Sequence, residues 1–76
     1  MNLNKKQFSL EEAWHLVRQE FPKGWARKDK VHRLLAQNHK KYQFYETGSF
    51  GGGRRYFIAR EGLIKFLTDI EDGVFN

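Results

Sequence analysis

Between Ser9 and Ile70 the spacing of apolar residues changes twice, from a helical period to an alternating one and back, and few folds accommodate both changes. The first stretch opens on Ser9-Leu10-Glu11-Glu12. At this spacing a serine hydroxyl and a glutamate carboxylate can each satisfy a backbone N–H at a helix start. Leu10, Ala13, Trp14, Val17 and Phe21 follow at offsets of 0, 3, 4, 7 and 11, one face of a helix that Pro22 stops by disfavouring helical backbone at Phe21. Lys23-Gly24 makes a turn. A second helix is predicted from about Arg27 to Asn38, with Val31, Leu34 and Leu35 facing inward. The connection PKGWA has helix-turn-helix length, and its Trp25 is expected in the core between the two helices.

After Lys41 the aromatic enrichment and the alternation of Tyr42, Phe44 and Glu46 with Gln43, Tyr45 and Thr47 favour a strand. Arg54 to Ile58 reads as its antiparallel partner, across a loop, Gly48 to Gly53, too long for a two-residue turn. Leu63, Phe66, Leu67 and Ile70 then restore the helical spacing in a closing helix. The acidic run Asp69-Ile70-Glu71-Asp72 opposes the negative pole of that helix, so residues 71–76 are expected to fray, as residues 1–7 are expected to be disordered. The fold class that results is α+β, in the order helix, helix, strand, strand, helix, as one domain over residues 1–76.

With 76 residues and no cysteine, neither disulfides nor thiolate-bound zinc can staple the chain, and its stability has to come from packing. No apolar run has the length of a membrane span, and MNLNKKQFSLEE lacks a signal peptide's hydrophobic segment, so a cytoplasmic location is expected. Residues 22–60 hold five lysines and five arginines against Asp29 and Glu46, while residues 61–76 hold Lys65 against four acids. Such confinement of positive charge suits a polyanion-facing surface, the plain alternative being solubilising charge on a small domain.

Lys30, Arg33, Gln37 and Lys40 fan out opposite the apolar stripe of the second helix. Arginine can pair with a guanine edge and glutamine with an adenine edge, so this face has the composition of a recognition surface. Arg27 and Lys28 at the helix start suit backbone phosphates, and Lys40 and Lys41 are counted among the residues expected to bind DNA. In SFGGGRRY, Gly51, Gly52 and Gly53 allow close backbone approach to a phosphate or a minor groove, while Arg54 and Arg55 supply the charge. Read without a ligand, the same residues relax a hairpin and solvate an edge strand. Phe50, at the loop tip, could instead contact a protein partner.

The element order is that of a small winged helix-turn-helix domain. In SLEEAWHLV, RKDKVHRLLAQ and GGGRRYFIAREGLIKFL the chain resembles the phage excisionase and MerR-like group of winged-helix DNA-binding proteins, and more loosely the N-terminal DNA-binding domain of Mu-type transposases and repressors. The resemblance covers about Ser9 to Leu67, although the wing strand is longer and more aromatic, and the stretch before it more basic, than that group's pattern. It implies a double-stranded DNA partner and a role in transcription regulation or recombination for a phage or mobile element, with self-association on DNA as a further possibility. The rival expectations are a protein-binding inhibitor of a host factor, and RNA or single-strand binding through Tyr42, Phe44, Tyr45, Phe50, Tyr56 and Phe57. His15, His32 and His39 lack metal-binding spacing, and no nucleophile or nucleotide-cradle motif is present. Neither a metal, a cofactor, a small-molecule substrate nor an enzymatic activity is expected.

Overall fold

Ser9 and Glu12 close the box that their spacing predicts. Ser9 Oγ accepts from the Glu12 N–H at 3.2 Å, and the Glu12 carboxylate accepts from the Ser9 N–H at 3.0 Å. They start α1 (Leu10–Glu20) in the computed structural model, which describes residues 3–21, 26–47 and 55–75. The Glu12 carboxyl is held below the usual carboxylate range, first by the Lys5 ammonium 2.6 Å away and then by the Ser9 N–H. At the other end Phe21 is extended, with φ −128° and ψ 155°, the conformation that a following proline favours. Trp25 and the loop residues Phe50, Gly51, Gly52, Gly53 and Arg54 lie outside the described residues.

Four helices and a three-stranded antiparallel sheet make up the described chain, a small α+β arrangement. Besides α1 these are β1 (Gln7–Ser9), α2 (Lys28–Gln37), α3 (His39–Tyr42), β2 (Phe44–Thr47), β3 (Arg55–Ala59) and α4 (Arg60–Glu71). The sheet order is β1-β3-β2, so the second strand of the hairpin is central and pairs on both sides. Ile58 is its pivot, fully buried and registered against Phe8 on one side and Phe44 on the other. Because successive strand residues face opposite ways, Phe8, Phe44 and Ile58 enter the core while Gln7 and Tyr45 stay exposed on the outer face. Leu10, Ala13 and Val17 of α1, Val31 and Leu35 of α2, Tyr42 of α3, and Leu63, Phe66, Leu67 and Ile70 of α4 complete that core.

The structure corrects the sequence-based expectations in three places. Disorder was expected through residue 7, yet Gln7 already belongs to β1, because Phe8 needs burial and the free edge of β3 needs a partner. Tyr42 was expected to begin a strand, yet it ends α3. Gln43 follows it in the left-handed region, at φ 52° and ψ 43°, and turns the chain into β2. Where fraying was expected after Ile70, α4 runs to Glu71 and closes in a Schellman motif. Gly73, at φ 79°, donates to the Ile70 carbonyl at 3.1 Å and Val74 donates to that of Asp69 at 3.0 Å. Phe75 then folds back, 5.6 Å from the Phe66 ring.

α3 approaches α4 closely at Gly62. A Cβ placed on Gly62 would stand 1.6 Å from the Tyr42 carbonyl oxygen, so only glycine fits at this point of α4. Gly62→Ala should therefore cost about 3 kcal/mol or more, a large part of a small domain's stability, measured as the shift in urea midpoint. Gln43→Gly should act the other way and stabilise by up to about 1 kcal/mol, since it removes a left-handed strain that glycine does not feel.

Candidate nucleic-acid interface

α2 buries Val31 and Leu35 and turns Asp29, Arg33, Ala36 and Gln37 to solvent. Lys30 and His32 lie half-buried at its edges. What fixes the helix on the hairpin is an aromatic group: Phe44 and Tyr56 stack at 5.6 Å and 5° across the β2–β3 pair, and the His32 ring lies 4.5 Å from Tyr56 and 6.0 Å from Phe44. At the start, Trp14 Nε1 donates to the Ala26 carbonyl at 2.9 Å and ties α1 to the lead-in of α2. The helix is thereby held against two other elements, with its outward face left to solvent.

The end of α2 separates residues that the sequence had grouped. Asn38, at φ −124° and ψ 38°, leaves helical geometry, and its side-chain amide donates to the Leu34 carbonyl at 2.9 Å. Lys40 consequently belongs to α3 and does not continue the fan of Lys30, Arg33 and Gln37. Lys41 also lies on α3, where its ammonium is 2.9 Å from Asp69 of α4.

Ion pairing sorts the remaining candidates. Arg27 is 3.3 Å from Asp29, and Lys28 Nζ is 3.0 Å from Glu11 Oε1 on α1. Arg33, Gln37 and Lys40 are exposed and make no side-chain hydrogen bond or ion pair among the described residues. Arg55, the first residue of β3, is exposed on the rim of a cleft of about 550 Å³ whose walls include Ser9, Glu11, Lys28, His32 and Tyr56. The loop-side end of the hairpin and the first turn of α2 thus border one concavity. Gly51, Gly52, Gly53 and Arg54 are outside the described residues, as is Phe50.

Of the aromatics considered for base stacking, Tyr42 and Phe44 are buried and Tyr56 packs inward against His32. Tyr45 is 40 % exposed on the outer sheet face, stacked on Phe57 at 5.9 Å, with its hydroxyl donating to the Gln7 side chain. Sequence reasoning missed His32 and Glu11 as parts of the basic surface. The histidine was weighed only as a metal ligand, and Glu11 only as a residue of the first helix.

Lys41 takes part in a structural network. The Tyr42 hydroxyl donates to Asp69 Oδ2 at 2.6 Å, and Lys41 pairs with the same oxygen. Asp69 is held below its ordinary value of 3.8, first by the Tyr42 hydrogen bond and then by Lys41. Burial, and then the neighbouring carboxylate, push the Tyr42 phenol far above its ordinary value. Since the folded Asp69 titrates below the unfolded one, its stabilisation is complete above the ordinary value and is lost as pH falls through the depressed one. Asp69→Asn should therefore flatten the acid limb of the stability curve below about pH 4, and Tyr42→Phe should cost about 1.5 kcal/mol at neutral pH, both measured by chemical unfolding across pH.

Compared with protein-family models, curated proteins and solved structures, the chain matches none. Fold and surface define a small α+β domain with a basic helix face. Among the described residues no helix is long and apolar enough to cross a membrane, and no group of three or more His, Cys, Asp or Glu could hold a metal ion.

Proposed function

We propose that this protein binds double-stranded DNA as a small winged helix-turn-helix module, with α2 in the major groove and residues 48–55 as a wing on the backbone or minor groove. It acts by binding without catalysis, as a cytoplasmic regulator or architectural recombination factor of a phage or mobile element. The observation that carries this reading is the outward face of α2. There Arg33 and Gln37 stand exposed, without partners among the described residues, on a helix braced by the His32–Tyr56–Phe44 group. A side chain that spends no energy breaking an internal pair is available to a base edge, and a rigid helix presents it at a fixed angle. The cleft shared by Lys28 and Arg55 adds cationic charge beside that face.

Mobility shifts with random duplex DNA, single-stranded DNA and RNA over a salt series test the proposal. Duplex should bind best, with log K falling against log salt at a slope of roughly −4 to −5 if about five phosphates are neutralised. On a selected site, Arg33→Ala or Gln37→Ala should cost about 1–3 kcal/mol, and much less on random duplex. Micromolar protein that leaves duplex unshifted at low salt would remove the proposal. A second reading, single-strand binding by stacking, is favoured by the exposed Tyr45 ring on the outer sheet face. A preference for single strands that Tyr45→Ala abolishes would establish it in place of the first.

A further inference from the structure

We infer that the cleft between the starts of α1, α2 and β3 seats a single backbone phosphate of duplex DNA, and that Glu11 is the resident anion this phosphate displaces. The inference deepens the DNA-binding reading and rests on it.

Four observations converge on this cleft. Lys28 and Arg55 reach it from two different elements, so two cations border a single space of about 550 Å³, room for a phosphate and its flanking sugar. Lys28 is the first residue of α2, and the cap residue Arg27 makes no side-chain capping hydrogen bond, so the positive pole of this ten-residue helix carries no side-chain oxygen at its cap. His32 and Tyr56, with rings 4.5 Å apart, close its inner wall and give it a fixed shape. Finally, an anionic oxygen already lies there: Glu11 Oε1, 3.0 Å from Lys28 Nζ.

That carboxylate marks where an acceptor oxygen is satisfied by Lys28, and its own side chain is 69 % exposed. An exposed ion pair contributes little to folding, so Glu11 can swing into water at small cost when a better acceptor arrives. A phosphate diester is such an acceptor, because it can meet Lys28 and Arg55 together where Glu11 pairs with Lys28 alone. Glu11 then stands near the DNA backbone as a like charge. It lowers affinity for any duplex by the same factor, whatever the sequence, and so limits nonspecific binding without touching the Arg33 and Gln37 face.

The test measures binding of a random-sequence duplex at low salt by fluorescence anisotropy. Glu11→Gln should tighten binding by about threefold to tenfold, and Arg55→Ala should weaken it by a similar factor. In a Lys28→Met background the Glu11→Gln gain should shrink to the part that like-charge repulsion alone supplies, because no ion pair remains for the phosphate to displace. An affinity of Glu11→Gln within about twofold of the wild type, or an undiminished gain without Lys28, overturns the phosphate seat and leaves the DNA-binding reading standing. Absence of duplex binding by the wild type removes both. A second measurement needs no variant: titrating inorganic phosphate into the wild-type protein should shift the NMR resonances of Lys28, His32 and Arg55 before those of Arg33. Shifts that begin at Arg33 count against the seat.

Discussion

The fold depends on the contact of Tyr42 with α4. Its ring is almost fully buried and meets Phe66 edge-on at 5.1 Å, its hydroxyl is satisfied by Asp69, and its carbonyl lies against the bare Cα of Gly62. Those contacts span the last turns and the first turn of α4, so α3 is held along most of the helix. From there Gln43 turns the chain and Phe44 enters the sheet opposite Ile58. The site follows from that register, because Phe44 stacks on Tyr56, Tyr56 meets His32, and His32 belongs to the helix that presents Arg33 and Gln37. A small core without covalent staples needs several such contacts that satisfy polar and apolar groups at once.

Local chemistry was legible in the chain and non-local pairing was not. The Ser9–Glu12 box and the Phe21-Pro22 stop fixed α1, since cap and breaker act within a few residues. Aliphatic spacing marked α2 and α4. By contrast β1 is three residues long, too short for alternation to show, and it exists because β3 offers an edge from the far end of the chain. The break at Asn38 was equally hidden. Asparagine only weakly opposes a helix, and the competing bond to Leu34 decides the outcome once α3 has Tyr42 to bury. Gly62 could have been noticed as a glycine inside an amphipathic pattern, but the carbonyl that requires it could not have been named.

The charge pattern was read correctly as a total and incompletely as a surface. Lys28 and Lys41 counted as available cations until the fold brought Glu11 and Asp69 against them. Basic residues in one segment differ in what they can offer, because a cation that already holds an acid must exchange it. Arg33 and Lys40, with no such partner among the described residues, are of the other kind.

The strand order has a consequence for biosynthesis. β1 and β2 both precede β3 in the chain, and neither pairs with the other, so Gln7 waits for Ala59 and Phe44 for Ile58. On the ribosome the first two helices emerge well before any sheet can exist, with Phe8 and Phe44 lacking their strand partner. Arrival of the central strand supplies both edges together and lets α4 close over them. Assembly of this sheet is accordingly a single late event, and no nascent chain ending before β3 holds any part of it.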